Sequence, residues 1–190
     1  MSSAAPLGRR ICVYGPSGAG KSTFAKTLGE RLGLPVVELD AIFHSRPNWD
    51  DLSTEEFREA VQARLRQHPE GWVVDGNYSP VRDLILPSAD TVVWLRLPWR
   101  VVYPRLVRRT LRRVRTRELL WGVNREAGLA QLFRPKESML WAGIQLWGAH
   151  HRKTREALAT IPHSATVIEL RSAGAVRRFL APAAHKEADG

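Results

Sequence analysis

Cysteine is almost absent from this sequence: its one residue of this kind, Cys12, lies in a short apolar stretch near the amino end. A single cysteine cannot form an intrachain disulfide, so the chain has no disulfide framework. Inside an apolar stretch, a cysteine acts far more often as a small buried hydrophobic residue than as a reactive thiol. Redox chemistry is therefore not indicated.

Long apolar runs are missing as well. No stretch approaches the 20 or so apolar residues that a membrane-spanning helix needs, and residues 1–10 lack the apolar core of a signal peptide. No proline- or serine-rich linker divides the 190 residues, a length sufficient for one well-buried core. We therefore expect a cytoplasmic protein with no membrane partner, folded as a single domain over residues 1–182 with a disordered tail at 183–190.

Acidic residues are few: 19 Asp and Glu stand against 29 Lys and Arg, for a formal net charge of +10. This excess suits nucleic acid or acidic small substrates, but base composition of the coding DNA can also produce it. No helix-turn-helix, zinc or aromatic RNA-binding pattern accompanies the charge, so no motif supports a nucleic-acid partner. The absence of an Asn-Lys-x-Asp sequence argues against a regulatory GTPase.

What the sequence does contain is a glycine-rich loop, Gly-Pro-Ser-Gly-Ala-Gly-Lys-Ser-Thr, that matches the phosphate-binding pattern. Glycines reach the positive φ angles with which such a loop turns its N–H groups towards a triphosphate. Lys21 would neutralise the terminal phosphates, and Ser22 would offer its hydroxyl to Mg²⁺. The predicted ATP-binding residues are Gly15, Pro16, Ser17, Gly18, Ala19, Gly20, Lys21, Ser22 and Thr23.

The segments on either side of the loop have the required periodicity. Residues 11–14 are apolar and rich in strand formers, while Phe24, Leu28 and Leu32 recur at helical spacing. Strand, loop and helix therefore follow in the order that a phosphate-binding loop needs. A glycine-rich turn of another kind would leave Lys21 and Ser22 unexplained.

Two aspartates end predicted strands. Residues 35–39 form the second predicted strand, which ends at Asp40, and residues 72–74 form the third, which is closed by Asp75. Ligands of open α/β sheets bind at the carboxyl ends of the strands, so Asp40 is a candidate to hold or deprotonate an acceptor hydroxyl. Asp75 is a candidate magnesium determinant beside Ser22. The alternatives are a helix-capping Asp40 and an Asp75 that only forms a turn with the next glycine.

Further acceptor-binding candidates lie in nearby loops. Trp49 belongs to an exposed Pro-Asn-Trp sequence and either lines a substrate pocket or packs against its neighbours. Asn77, Tyr78 and Arg82 follow the third strand on one loop and could also contact the acceptor.

A dense run of arginines follows the fourth predicted strand at 91–95. Residues 99–117 contain eight arginines and no acid, and Pro98 is well placed to open a helix here. We expect Pro104 to kink this helix or delay its start. The predicted apolar stripe is Leu106, Val107, Leu111 and Val114. The arginines, largely on the other faces, act as a guanidinium clamp on transferring phosphates or form a solvated basic face.

The remaining segments complete an α/β pattern. Residues 53–56 match a capping box for a helix that runs to about residue 67. Residues 118–134 lack strong periodicity and could form a mobile cover over the active site. Residues 138–159 are predicted to be helical, residues 166–170 form the fifth strand, and residues 175–180 form a closing helix.

On these residues the chain resembles the adenylate-kinase-like P-loop kinases, and most closely a bacterial branch known as topology modulation protein. The resemblance covers roughly residues 9–180. It rests on the loop at 15–23, Glu-Leu-Asp at 38–40, Val-Val-Asp-Gly-Asn-Tyr-Ser at 73–79, Val-Val-Trp-Leu-Arg-Leu-Pro at 92–98, the arginine run, and Asn-Arg-Glu at 124–126.

This resemblance implies an α/β P-loop NTPase fold with a five-stranded parallel sheet and helices on both faces. It also implies ATP and Mg²⁺ at the loop and an arginine-rich lid over about residues 105–135. By position, Lys21 would be catalytic, Asp75 would assist magnesium, and Arg109, Arg113 and Arg125 would be the catalytic arginines of the lid.

One departure bears on the acceptor. Nucleoside monophosphate kinases have Asp-Gly-Phe-Pro-Arg after the third strand, whereas this chain has Asp-Gly-Asn-Tyr-Ser at 75–79, with Arg82 in a different register. Asp40 is similar to the acceptor-binding acid of shikimate- and gluconate-type kinases. This comparison shifts the expectation towards a hydroxyl acceptor.

The sequence therefore predicts an ATP- and Mg²⁺-dependent phosphotransferase that acts on a small molecule, whether a nucleotide, a nucleoside or another hydroxyl metabolite. The alternative is an ATP-binding regulator associated with nucleic acid. Intact Lys21, Ser22 and Asp75 argue against an ATP-binding protein that has lost transfer activity. Whether the protein is a monomer or a dimer stays open.

Overall fold

The structure is a computed structural model that describes residues 7–125, 147–161 and 165–181. The strands in these ranges are β1 (Arg10–Tyr14), β2 (Val36–Glu38), β3 (Trp72–Asp75), β4 (Thr91–Leu95), β5 (Leu119–Leu120), β6 (Asn124–Arg125) and β7 (Thr166–Leu170). The helices are α1 (Lys21–Leu32), α2 (Leu39–Phe43), α3 (Thr54–Arg66), α4 (Arg82–Ile85), α5 (Trp99–Thr116), α6 (Trp147–Leu158) and α7 (Ala173–Leu180). Short 3₁₀ turns cover Pro47–Trp49, Ser79–Val81 and Leu86–Ser88.

Five strands form one parallel sheet in the order β2-β3-β1-β4-β7. Apolar side chains alternate between its two faces, so that Val13 packs against α1 while Cys12 and Tyr14 pack on the side of α3. Because all strands are parallel, their carboxyl ends meet at one edge of the sheet. This arrangement confirms the predicted five-stranded parallel sheet with helices on both faces. Cys12 is fully buried, as predicted, and burial raises the pKa of its thiol.

The second strand is shorter than predicted: it ends at Glu38, and Leu39 and Asp40 begin α2. Among the described strands it pairs with β3 alone, and Glu38 pairs with the last residue of that strand, Asp75. No ladder remains for Leu39 to extend, so the chain turns and buries the Leu39 side chain in the core. Asp40 nevertheless lies at the carboxyl edge, one residue into the helix.

Helix α5 begins at Trp99, directly after Pro98, and continues through Pro104. The predicted delay of its start is therefore wrong. Because proline has no N–H, the carbonyl oxygen of Arg100 loses its helical hydrogen bond at Pro104. Both residues are exposed. Water can satisfy that carbonyl, which makes the proline tolerable at this position.

The buried face of α5 also differs from the predicted stripe. Val102, Leu106 and Thr110 are buried, whereas Leu111 is 47% exposed. The helix is turned in this way because it lies against the glycine-rich loop: a Cβ on Gly18 would be 2.7 Å from the carbonyl oxygen of Val102. The same rotation brings arginines of the neighbouring face towards the loop.

Strands β5 and β6 form a small antiparallel hairpin after α5, with Leu120 opposite Asn124. Three residues join the strands: Trp121 and Gly122 both have positive φ angles, and the N–H of Val123 donates to the carbonyl oxygen of Leu120 at 3.1 Å. Periodicity did not indicate these short strands. The rest of the predicted cover, residues 126–134, lies outside the described residues.

The described part of the predicted helix at 138–159 is α6, and residues 138–146 lie outside the described ranges. Helix α7 begins two residues earlier than predicted. The predicted tail, residues 183–190, is also outside those ranges, so the domain limits stay a prediction. Within the described ranges, no helix has the length and apolarity to cross a membrane.

Candidate active site

The nine predicted ATP-binding residues run from the end of β1 into the first turn of α1. Gly18 and Gly20 have φ angles of 88° and 90°, which side-chain-bearing residues rarely adopt. Gly18 must also lack a side chain because the backbone of α5 leaves no room for one. The amino end of α1, with its unsatisfied N–H groups, opens directly at the loop and favours an anion there.

Lys21 joins this loop to the carboxylates of the site. Its ammonium donates a long hydrogen bond of 3.4 Å to the carbonyl oxygen of Pro16. Burial lowers the pKa of Lys21, the charges of Asp75 and Asp40 oppose that effect, and the charge of Arg109 reinforces it. The charges of four predicted site residues, two acids and two bases, therefore act on one another.

Asp75 lies at the carboxyl end of β3, level with Val13 of β1 and Glu38 of β2. It is only 6% exposed, and burial raises its pKa, while the Lys21 charge and a hydrogen bond with the Ser22 side chain act in the opposite direction. Its Oδ1 atom is buried and has no hydrogen-bond partner among the described residues.

This geometry fits a magnesium ion. A carboxylate and a serine hydroxyl are oxygen ligands of the kind that Mg²⁺ prefers. The buried Oδ1 of Asp75 has no hydrogen-bond partner among the described residues, and a bound ion would supply one. No group of three or more His, Cys, Asp or Glu in the described ranges forms a separate metal cage. The arrangement suits an ion that is held by a few protein groups together with substrate phosphates.

The predicted acceptor residues Asp40 and Tyr78 are joined directly. The Tyr78 hydroxyl donates a hydrogen bond of 2.8 Å to Oδ1 of Asp40. Burial and then the neighbouring carboxylate charges raise the pKa of Tyr78, so this phenol stays protonated and remains a donor. Its ring packs against Phe43 and Phe57, with centroids 5.2 Å away in each case, which fixes its direction.

Trp49 belongs to a cluster of aromatic side chains beside this pair. Its ring meets His44 and Trp121 edge-on, with centroids 5.3 Å and 6.0 Å away, while Trp121 stacks on His44 at 4.9 Å. His44 in turn hydrogen-bonds Asp51. Both tryptophans have left-handed backbones, with φ angles of 57° and 48°. Such conformations cost about 1–3 kcal/mol each and persist only where surrounding contacts hold them.

Asn124 supplies such contacts and is the residue that sequence reasoning missed. It is 2% exposed, its Oδ1 accepts from the backbone N–H of Trp49 at 2.8 Å, and its Nδ2 donates to the carbonyl oxygens of His44 (3.0 Å) and Arg46 (2.9 Å). The hairpin after α5 is thereby attached to the loop at 44–49. Asn124 lies in one of the blocks that carry the family resemblance, but spacing cannot show that one amide bonds three distant backbone groups.

The predicted catalytic arginines lie at the loop side of α5. Arg109 and Arg113 are half-buried with buried Nε atoms, and the charge of Arg109 reaches Lys21. Of the arginines predicted to lie largely outside the apolar stripe, Arg105, Arg108 and Arg112 are exposed, whereas Arg109 and Arg113 are only half-exposed. Arg125 is the last residue of β6, and its side chain is outside the described set.

Two further predicted contacts are less direct. Arg82 donates a hydrogen bond of 3.4 Å to the Ser79 hydroxyl, and its charge acts on the pKa of Tyr14, a core residue of β1. Asn77 is half-buried and directly follows Gly76, whose φ angle is 129°. The acceptor-binding roles of both residues stay predictions.

Comparison with known proteins agrees with this fold. A family model for an AAA domain, AAA_18, matches residues 11–129. Cytidylate kinases from Archaeoglobus fulgidus and Methanobrevibacter smithii are 26% and 30% identical over 113 and 112 residues, which are 53% and 52% of this chain and 61% and 63% of those proteins. The chain thus spans less than two thirds of the length of these relatives.

Among solved structures, a shikimate kinase from Acinetobacter baumannii in complex with shikimate superposes with a TM-score of 0.52 at 20% identity, covering 91% of this chain and 89% of that one. This likeness shows the P-loop kinase fold. The closer resemblance to the topology modulation branch and the arginine-rich lid stay predictions. Because the family match covers more than half of the chain, including the loop, Asp40, Asp75 and all of α5, this protein belongs to the AAA_18 family of AAA domains.

Proposed function

We propose that the protein is an ATP- and Mg²⁺-dependent P-loop kinase that phosphorylates a hydroxyl group of a small molecule. The observation that carries this proposal is that Lys21 follows β1, Asp75 ends β3 and Asp40 follows β2, so that all three lie at the carboxyl edge of neighbouring strands in one parallel sheet. The loop for phosphates, the carboxylate for an ion and the carboxylate for an acceptor thus belong to one site. Nucleotide-binding switches need the first two features, but not the third.

The loop amides, Lys21 and the amino end of α1 bind the phosphates of ATP. Ser22 and Asp75 would hold Mg²⁺, which when bound neutralises charge on the phosphate oxygens. Lys21 retains its proton in the presence of these phosphates, because they add negative charge to a site in which burial alone would favour the neutral amine.

Asp40 orients the acceptor hydroxyl and accepts its proton. Tyr78 occupies Oδ1, so Oδ2 is the carboxylate oxygen left for the acceptor. The hydroxyl oxygen bonds to the γ-phosphorus of ATP, the bond from that phosphorus to the bridging oxygen breaks, ADP leaves, and the hydroxyl proton passes to Asp40 and then to solvent. Asp40 is exposed, which allows an acceptor to reach it.

Arg109 and Arg113 stabilise the charge that develops on the transferring phosphoryl group. A guanidinium that is partly withdrawn from water interacts more strongly with such charge than a fully solvated one. The half-buried positions of both residues support this assignment. We extend the same role to Arg125 in an arginine-rich lid over about residues 105–135.

Matched variants test the proposal by measuring ADP formation from ATP and Mg²⁺ with nucleosides, nucleoside monophosphates, sugars and hydroxy acids. We expect one acceptor class to stimulate turnover, and Lys21→Ala to remove that stimulation while Lys153→Ala, on the exposed surface of α6, keeps it. Stimulation that survives in Lys21→Ala would refute the proposal. The regulatory alternative gains no support from the matched family or relatives, and ATP binding without stimulated turnover by any acceptor would favour it.

A further inference from the structure

Aromatic side chains lie beside the proposed acceptor residue Asp40. His44 is about one helical turn further along the chain, and its N–H donates to the carbonyl oxygen of Asp40 at 3.0 Å, so the two side chains are neighbours on α2. The indole of Trp121 stacks on the imidazole of His44, with ring centroids 4.9 Å apart and planes 23° apart. Because Asp40 is exposed, a compound that reaches its carboxylate comes next to these rings.

Trp49 and Trp121 form a right-angled corner of two indoles. Their ring planes are 89° apart, with centroids 6.0 Å from each other, and the ring of Trp49 also meets His44 edge-on. Trp49 is 41% exposed and Trp121 is partly exposed. Among the described residues, neither indole belongs to the buried clusters on the two faces of the sheet. Accessible indole faces of this kind pack against the ring of a ligand.

The chain holds the indole corner in place at a conformational cost. The φ angles are 57° at Trp49 and 48° at Trp121, and such values are outliers for bulky side chains. The buried amide of Asn124 bonds the backbone N–H of Trp49 and two carbonyl oxygens of the same loop. Strained backbone that surrounding contacts hold in this way clusters at ligand-binding sites. Two strained tryptophans outside the core therefore point to a bound ligand.

The indole corner lies on the acceptor side of the sheet. His44 and Trp49 follow β2, which is two strands away from β1 and its glycine-rich loop. Tyr78 follows β3 and approaches Asp40 through Oδ1 of the carboxylate. The corner is thus next to the carboxylate that is proposed to receive the acceptor hydroxyl, and it is separated by a strand from the loop that binds the phosphates of ATP.

We infer that Trp121 is a specificity-determining residue of the acceptor site, and that the acceptor is a ring-bearing hydroxyl compound whose ring packs in the indole corner while its hydroxyl reaches Asp40. This inference rests on the proposed kinase function. It makes no demand on the charge of the acceptor, because the corner recognises ring faces. The hairpin that follows the arginine-bearing helix thereby supplies one wall of the acceptor site.

Steady-state kinetics of Trp121→Ala, Trp121→Phe and Leu119→Ala test this assignment. The acceptor used is the compound with the highest kcat/KM for ADP formation among adenosine, CMP, shikimate and glucose, which carry rings, and gluconate and glycerol, which are open chains. We expect a ring-bearing acceptor whose KM rises about tenfold in Trp121→Ala and stays within about threefold of the wild-type value in Trp121→Phe. The KM for ATP should change less than about twofold, because the phosphates bind at the loop.

Leu119→Ala is the control, since Leu119 is 49% exposed in the same hairpin, and both KM values should keep their wild-type levels. Three results would overturn the inference. They are an open chain as the best acceptor, an unchanged acceptor KM in Trp121→Ala, and equal rises in the KM for acceptor and for ATP, which would show a purely structural role.

Binding without turnover separates this inference from the kinase function. In the Lys21→Ala variant, each compound of the panel is titrated while tryptophan fluorescence is recorded, with and without the additional Trp121→Phe substitution. The chain contains seven tryptophans, so the difference between the two variants is the measurement. We expect a ring-bearing compound to change the emission and Trp121→Phe to remove most of that change. If every compound leaves this difference at zero, the inference is refuted. Absence of stimulated ADP formation in the wild type would instead refute the kinase function.

Discussion

Asn124 accepts a hydrogen bond of 2.8 Å from the backbone N–H of Trp49, although 75 residues separate them in the chain. Through this bond and two more to the same loop, the hairpin that follows α5 is joined to the loop beside Asp40 and Tyr78. The arginine-bearing helix and the acceptor side of the site are therefore connected by a buried amide. Residues 119–125, part of the segment predicted as a mobile cover, are docked on that loop.

Replacement of Asn124 by alanine removes these three bonds and leaves buried backbone groups without partners. Since an unsatisfied buried group costs about 1–3 kcal/mol, we expect the free energy of unfolding to fall by about 2–4 kcal/mol in urea titrations. The acceptor KM should also rise while the ATP KM changes little, because the loop at 44–49 loses its anchor. Gln62→Ala on the exposed face of α3 is the control, and equal effects of the two variants would contradict the assignment.

Gly18 and Gly122 provide a matched test of the glycine-rich loop. Both have positive φ angles, 88° and 80°, but only Gly18 is in contact with another backbone, that of α5. We expect Gly122→Ala to destabilise the protein by about 1–2 kcal/mol from backbone strain alone. Gly18→Ala must also displace α5, so its loss should be larger and should include ATP affinity, as measured by calorimetric titration. A similar result for both variants would show that the contact with Val102 has no effect.

Arg109 and Arg108 are neighbours in sequence that face different surroundings. Arg109→Ala should lower kcat about 10²–10³-fold, the effect typical of removing a donor that stabilises transition-state charge. Arg108→Ala removes the same charge from an exposed position and should alter kcat less than about twofold. Steady-state kinetics with a saturating acceptor distinguish the two variants. Equal losses of kcat would mean that the net charge of the helix, and not the position of Arg109, affects the reaction.

Tyr78→Phe isolates the hydrogen bond to Asp40. The ring contacts with Phe43 and Phe57 remain, whereas Asp40 loses the donor that orients it. We expect kcat/KM for the acceptor to fall about 5–10-fold, corresponding to one hydrogen bond of about 1 kcal/mol. Asp40→Asn should lower kcat far more, by about 10²–10⁴-fold, as expected for loss of a general base. A Tyr78→Phe variant with unchanged acceptor kinetics would place the acceptor elsewhere.

The raised pKa of Asp75 predicts a pH dependence for magnesium. Because burial raises this pKa above the ordinary value near 3.9, the carboxylate becomes protonated at a higher pH than an exposed aspartate would. Protonated Asp75 cannot ligate Mg²⁺, so magnesium-dependent ATP binding should weaken as the pH falls through this raised pKa. Binding isotherms at successive pH values, with circular dichroism as a check of folding, measure this. Affinity that stays constant down to pH 4 would contradict the role of Asp75.

Local patterns predicted the elements of the fold well because their causes are local. The capping box at Ser53 and Glu56 has both reciprocal hydrogen bonds, at 3.2 Å and 2.9 Å. The strands at 72–75 and 91–95 are mainly apolar and are buried throughout. The glycine-rich loop is recognisable because its chemistry needs adjacent residues.

Periodicity was less successful for α5. Several apolar positions compete on a helix that carries seven arginines, and the contact with Gly18 selected the face of Val102 and Leu106 over that of Leu111. This choice depends on the distance between two elements 80 or more residues apart in sequence, so hydrophobic spacing within the helix could not reveal it.

The sequence by itself determined the parallel α/β architecture and the phosphate-binding loop, since both follow from periodicity and adjacent residues. Only the tertiary structure decided that Tyr78 bonds Asp40 and that Asn124 anchors the loop of Trp49. The physical reason is that a hydrogen bond requires two groups within about 3 Å in a specific orientation. Residues far apart in the chain meet that condition only after the elements have packed.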